Sequence, residues 1–219
     1  MSYPEQNEIL AYGALYALPA NNRETHFARL AIGSAMAEIE ARQEADTDEL
    51  TGLMNRRAFV RNVQERIISG GVFGVLFADL TNFKWVNDRF DHTVGDRYLI
   101  RTSEVIQGAL SLRDEDAAAR IGGDEFAAAI DLTPRQNSSL TANERLAAVA
   151  DRIGGEFETS LRAHSLDRFG LGVTVGFEVF DPGIHASAAD VILGADQDMQ
   201  IKKIEQHAIK GAYRPDSIG

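Results

Sequence analysis

Apolar positions along the chain change period several times, and each period predicts an element. Over residues 55–68, Phe59, Val63 and Ile67 recur at helical spacing between charged residues, the pattern of an amphipathic helix. Residues 72–78 (VFGVLFA) form a short unbroken apolar run after Gly70-Gly71, which predicts a buried strand. Residues 93–110 predict a helix with Val94, Tyr98, Val105 and Ala109 on one side. Residues 117–121 and 126–131 flank Gly122-Gly123 and read as a hairpin. A loop at 133–139, a long helix at 141–164, a strand at 171–180 and a last helix at 187–207 complete the chain. The order is helix, strand, helix, hairpin, helix, strand, helix. It predicts an α+β fold, with a central, mostly antiparallel sheet flanked by helices in a ferredoxin-like layer, not a doubly wound one.

The first 46 residues have a different character. Residues 9–20 (ILAYGALYALPA) are uninterruptedly apolar. As a helix they would reach about 18 Å, well short of the roughly 30 Å hydrocarbon core. The preceding MSYPEQNE has no Lys or Arg, and the first basic residue is Arg23, so the basic region of a secretory leader is missing. Residues 22–44 carry Phe27, Leu30, Ala31, Ser34, Ala35, Glu38 and Ile39 at helical spacing, with Gly33 the one breaker. Asp46 and Thr47 read as a stop and a new N-cap. The expectation is a helical, dimerising segment over 1–46 and one domain over 47–215. An apolar strip of this kind usually marks an interface, which predicts a self-associating cytoplasmic protein with no membrane span.

Composition narrows the function classes. The chain has 219 residues, 44% hydrophobic and 25% charged, a globular balance. It has no cysteine, which excludes disulfides, thiolate metal sites and thiol nucleophiles. With 22 Lys and Arg against 33 Asp and Glu, the formal charge is −11. That balance argues against a protein that coats nucleic acid. It leaves room for a small anionic ligand held through a metal ion between carboxylates and phosphate.

The candidate chemistry lies in two places. Asp79 ends the buried run, and Asp124 and Glu125 follow the Gly122-Gly123 turn. A carboxylate at a strand end and others at a neighbouring hairpin tip can converge on one point, as Mg²⁺ bound to phosphate requires. Two glycines before them let backbone approach a nucleotide closely. Taken alone, Gly-Gly-Asp-Glu is equally compatible with a solvated turn carrying incidental acids.

Longer blocks separate these readings. Asp48-Glu49-Leu50-Thr51-Gly52-Leu53 with Asn55-Arg56-Arg57 resembles the opening of the GGDEF family. Phe83-Lys84, Asn87-Asp88, His92 and Gly95-Asp96 match its next segment in order and spacing, and Arg120-Ile121-Gly122-Gly123-Asp124-Glu125-Phe126 reproduces its signature. The resemblance spans about residues 46–208 and implies a palm like that of nucleotidyl cyclases and polymerases. It implies a diguanylate cyclase that condenses two GTP into cyclic di-GMP and two pyrophosphates. Asp79, Asp124 and the Leu80 carbonyl would hold Mg²⁺ or Mn²⁺, with Glu125 assisting activation of the ribose 3′-OH. Asn87 and Asp96 would read guanine, and Phe83, Lys84 and Lys203 would contact phosphates. Because the product has two-fold symmetry, catalysis implies a homodimer. Arg113 and Asp116 form an RxxD at the offset of the family's inhibitory site for cyclic di-GMP.

Other features are set against this resemblance. Ile153-Gly154-Gly155-Glu156-Phe157 mimics the signature but lies in a helical stretch, so it reads as a helical accident. His26, His164, His185 and His207 lack paired ligand spacing, and Trp85 reads as packing or surface. Thr81 stands where many relatives have a second Asp, and Asp91 where they have Gly. Gly176 and Glu178 replace Ser and Gly. In the last helix Asp198, Met199, Gln200, Lys202, Gln206, His207 and Ala208 depart from the family pattern, with His207 in place of a phosphate-binding Arg. These departures keep a second reading alive: a weak or inactive module that binds GTP or cyclic di-GMP and signals to a partner. A cyclase with relaxed base choice is disfavoured by Asp96. No sensor segment indicates the activating stimulus.

Overall fold

The computed structural model describes residues 33–34, 46–90, 92–110, 115–134, 139–164 and 170–210. The expected apolar run at 9–20 and Arg113 lie outside the described residues, as does all of the 22–44 helix except residues 33–34, which are helical. The chain divides between Thr47 and Asp48 into two units. The sheet and the candidate site both lie in the second.

In chain order the elements are β1 (Met54–Asn55), α1 (Arg56–Ile68), β2 (Phe73–Thr81), α2 (Phe83–Arg89), α3 (His92–Leu110), β3 (Ala117–Arg120), β4 (Glu125–Asp131), α4 (Ala142–Ala163), β5 (Gly172–Val179) and α5 (Ala188–Lys210). The strands form one sheet in the order β1-β3-β4-β2-β5. Strands β1 and β3 pair in parallel, whereas β3–β4, β4–β2 and β2–β5 are antiparallel. The expected α+β architecture is therefore present.

Strand β2 is buried along all but its last residue, which is why it reads as a continuous apolar run rather than an alternation. Its side chains divide by parity. Leu76, Ala78 and Leu80 join Phe126 and Ile130 of β4 under α3 and α4. Phe73, Val75 and Phe77 join Phe59, Val63, Val191 and Met199 under α1 and α5. Helices α1 and α4 start where side chains satisfy free N–H groups. Asn55 Oδ1 accepts from Ala58 N at 3.0 Å. Thr141 and Glu144 form a reciprocal capping box.

Three details differ from the sequence pattern. Strand β2 continues past Asp79 to Thr81 along β5, while its ladder with β4 ends at the Asp79–Glu125 pair. The polar Asp79 masks this continuation, because its burial is supplied by neighbouring strands. Helix α2, seven residues long, has no counterpart in the pattern, because only Val86 of its residues is buried and no period develops. The two-residue β1 is too short for any pattern. The second Gly-Gly-Glu-Phe lies within the continuous helix α4, where Ile153 and Phe157 face the core.

Candidate active site

The site is built on β2. Asp79 is paired in register with Glu125 of β4 on one side and with Thr174 of β5 on the other. Only 7% of Asp79 is exposed. The next residue ties in the hairpin tip: Leu80 N donates to the Asp124 carbonyl at 3.3 Å. Residues far apart in sequence are thereby fixed at one end of adjacent strands. Asp79, Leu80, Asp124 and Glu125, expected to act together, are brought together.

The tip is closed from inside and outside. Ile121 N and Gly122 N both donate to the Glu125 carbonyl, at 2.8 and 3.3 Å. Arg120 donates to the Gly123 carbonyl through Nη2 at 2.8 Å, and Nη1 reaches Asp48 Oδ1 at 3.2 Å. Asp48 also accepts from the Thr51 N–H and hydroxyl at 2.9 and 2.7 Å. Burial alone would raise the Asp48 carboxyl, but the Thr51 bonds and Arg120 together hold it below its ordinary value. The two glycines play different parts. A Cβ at Gly122 would sit 2.5 Å from Glu125 Oε2, so Gly122 is small because Glu125 folds back over it. Gly123 has nothing within 4 Å and leaves open space beside Asp124. Neither glycine has a positive φ.

Acidic groups dominate the electrostatics. Burial, then the charge of Asp79, push the Asp124 carboxyl up. Glu125 is raised by burial, then by Asp79, Asp124 and Asp196, with Arg56 opposing. Such crowding is unfavourable unless a cation answers it. One does: Lys203 of α5 places Nζ 2.6 Å from Asp79 Oδ1. A positive charge thus sits on the carboxylate that the family pattern gives to the metal. Two carboxylates and the Leu80 carbonyl are oxygen donors suited to a hard divalent cation. Among the described residues no three His, Asp or Glu side chains form a closed metal cluster. A divalent ion held by Asp79, Asp124 and the Leu80 carbonyl would take its remaining oxygens from a ligand or water.

The remaining expected residues lie on α2 and α3. Asn87 packs its amide directly on Gly95, the residue before Asp96, where a Cβ would lie 1.9 Å from Oδ1. Phe83 stacks on Tyr98 with ring centroids 6.1 Å apart. Lys84 is exposed. Asn82, which precedes α2, adopts φ 62° and donates Nδ2 to the Gly170 carbonyl at 2.9 Å. This left-handed residue turns the chain sharply from β2 into α2. Asp116 Oδ1 accepts from Asp131 N at 2.8 Å, and Arg66 donates to the Glu115 carbonyl. The expected partner of Asp116, Arg113, is among the residues not described.

Several departures in α5 have structural explanations. A Cβ at Gly176 would lie 2.1 Å from Met199 N, so glycine there lets α5 lie directly on β5. Strand β5 is an edge strand, and two α5 side chains cover its outer rim. Asp198 Oδ2 accepts from Phe177 N at 2.8 Å, and Lys202 Nζ donates to the Val175 carbonyl at 3.2 Å. Lys202 also pairs with Asp198 at 2.7 Å and lies 4.3 Å from the Phe177 ring centre. Glu178 faces the buried His185 at 3.4 Å. Gln206 Oε1 accepts from the Thr174 hydroxyl at 3.0 Å. Trp85 packs edge-on against Phe90. His207 lies in α5, and its side chain is outside the described residues.

Four contributors to the site were not singled out from sequence. Asp196 and Arg56 act on Glu125, Arg120 braces the tip, and Thr174 flanks Asp79. Arg56 and Arg120 stand inside the blocks that carry the resemblance, so a signal was present without a role attached; Asp196 lies on the last helix, outside those blocks. Thr174 had none, because its position depends on strand register.

Comparison with known proteins agrees with this geometry. The family model described as diguanylate cyclase, GGDEF domain, matches residues 45–208. An uncharacterized protein of Mycobacterium tuberculosis is 35% identical over 170 residues, which cover 74% of this chain and 24% of that protein. The cyclic di-GMP phosphodiesterase NbdA of Pseudomonas aeruginosa is 34% identical over 134 residues, or 59% of this chain and 17% of that one. Diguanylate cyclase TpbB of the same species is 29% identical over 164 residues, covering 73% and 35%. The chain thus spans only about a quarter of the length of the mycobacterial relative. A solved microbial GGDEF domain, described in a novel interaction mode with cyclic di-GMP, superposes with a TM-score of 0.59 at 27% identity, covering 75% of this chain and 94% of that one. By the matched span, the signature and the fold together, the chain belongs to the GGDEF-domain family of diguanylate cyclases.

Proposed function

We propose that this chain is an active diguanylate cyclase, condensing two GTP into cyclic di-GMP with release of two pyrophosphates. The observation that carries the reading is the convergence of Asp79, Asp124 and Glu125 at one end of β2 and β4. In this reading Asp79, Asp124 and the Leu80 carbonyl hold Mg²⁺ or Mn²⁺. When bound, the ion supplies positive charge that stabilises the attacking and leaving oxygens of phosphoryl transfer. Glu125 receives the proton of the ribose 3′-OH, a role suited to a carboxylate whose proton affinity is raised by burial and by neighbouring acids. The 3′ oxygen bonds to the α-phosphorus of the second GTP, and the bond from that phosphorus to pyrophosphate breaks in line. Asp96 accepts from the N1–H and N2–H₂ donors of guanine, with Asn87 beside it; adenine lacks that donor pair. Phe83, Lys84 and Lys203 contact the phosphates.

A two-fold product requires two such sites face to face, hence a homodimer. Residues 1–46 serve as its dimerising segment and 47–215 as the catalytic domain, in the cytoplasm. Cyclic di-GMP binds back at Arg113 and Asp116 and inhibits; Arg113→Ala relieves that inhibition. The test is purified protein with GTP and Mg²⁺, nucleotides resolved, and Asp124→Ala beside it. Cyclic di-GMP made by the wild type alone is expected. Tight nucleotide binding without product would instead establish the alternative, a binding module. That alternative draws on the α5 side chains Asp198, Lys202 and Gln206, which are engaged in the fold rather than turned to a ligand.

A further inference from the structure

The position of Lys203 has a consequence for the order in which the site fills. Its ammonium lies 2.6 Å from Asp79 Oδ1, within the range of a charge-assisted hydrogen bond. Both side chains are shielded, with 30% of Lys203 and 10% of Asp79 exposed, so screening by water and salt is limited. The same lysine eases the charge on Asp124. The site therefore carries its own counter-ion where the candidate metal donors are.

We propose that Lys203 is an internal stand-in for the metal, which keeps Asp79 occupied until a triphosphate draws the ammonium away. The inference rests on the metal reading proposed for this site and deepens it. A divalent ion arriving alone must displace Lys203 and leave it beside a second positive charge. An ion arriving with a triphosphate meets a different balance. The phosphate oxygens offer the ammonium a new partner, and a lysine on a flexible four-carbon stem can swing between them while its backbone stays fixed in α5. Metal and nucleotide therefore bind cooperatively, each raising the affinity of the other by the same factor. Free metal by itself does not load the site, and free nucleotide does not load it well.

Mn²⁺ binding to the full chain, followed by electron paramagnetic resonance, tests this without turnover. The nucleotide is the α,β-methylene analogue of GTP, in which the scissile oxygen bridge is replaced. In the absence of nucleotide, Lys203→Gln should bind Mn²⁺ about tenfold more tightly than wild type, within the usual span of coupling between sites. Lys203→Met, which keeps the length and loses the charge, should behave likewise. In both variants the analogue should raise Mn²⁺ affinity far less than it does in wild type. Asp79→Asn should weaken Mn²⁺ binding in either background. Equal Mn²⁺ affinity in wild type and both lysine variants would overturn the role of Lys203 and leave the metal reading standing. Failure of every form to bind Mn²⁺ with the analogue present would overturn both.

Discussion

Asp124 and Glu125 hold protons more tightly than free carboxylates do, because burial and Asp79 both disfavour their charged forms. Raised values mean that the folded state binds more protons than the unfolded chain as pH climbs from the ordinary 3.8 and 4.5. Stability from these groups is present below that range and is lost as pH rises through it. Asp48 works the other way: its lowered value makes a contribution present above 3.8 and lost as pH falls. Asp124→Asn removes one repelling charge. In metal-free protein it should stabilise the fold at pH 7 by about 1 kcal/mol or less given solvent screening, and so raise the thermal midpoint there, with little change near pH 4. Thermal scans at both pH values check this. Gly95 is testable on its own. Alanine there must push away the Asn87 amide, whose Oδ1 lies 1.9 Å from the Cβ position. Gly95→Ala should raise the KM for GTP about tenfold, roughly one lost discriminating contact. Its thermal midpoint should stay within a few degrees, because alanine favours the helix. Unchanged KM would show that Asn87 does not read the base.

At the scale of elements, the join between α5 and β5 decides where Lys203 and Asp196 stand. Two features make it close. Gly176 admits the helix backbone, and Asp198 with Lys202 satisfies the free rim of the edge strand. Gly176→Ala would force the helix outward against backbone atoms at 2.1 and 2.5 Å. It should destabilise by about 1–3 kcal/mol, as overpacking does, and it should weaken the Lys203–Asp79 contact. Asp198→Ala leaves the Phe177 N–H without its acceptor and should lower stability by about 1 kcal/mol. That is roughly 2–4 °C in thermal midpoint for a chain of this size. Urea unfolding and nucleotide binding, measured together, separate the two, since only Gly176→Ala should also reduce nucleotide affinity strongly. Three of the departures that set α5 apart from the family pattern, Asp198, Lys202 and Gln206, thus have a place in the packing.

At the scale of the whole molecule, turnover is proposed to need two copies. A chain beginning at Asp46 should keep its fold, because its core clusters lie entirely within residues 50–199. It should lose turnover at least about tenfold at low micromolar concentration if residues 1–46 raise the local concentration of the second site. Light scattering and initial rates, measured together against the full chain, check it. Equal dimerisation and equal rates would remove the role given to the first segment.

Much of this molecule is legible in its sequence. Among the described residues, apolar period locates the four long helices and all but one of the strands, because burial on one face leaves a repeat in the order of residues. The signature and its flanking blocks mark Asp79, Asp124, Glu125, Asn87 and Asp96 as a set. What order along the chain cannot encode is which strands become neighbours. The placement of Asp79 between Glu125 and Thr174 follows from the sheet order β4-β2-β5. The length of β2 past Asp79, the α2 helix and the two-residue β1 stay hidden because none is long enough, or polar enough on one face, to repeat. The contact of Lys203 with Asp79 spans 124 positions. It exists only because Gly176 lets one helix settle on one strand, a matter of shape and close approach that no local pattern carries.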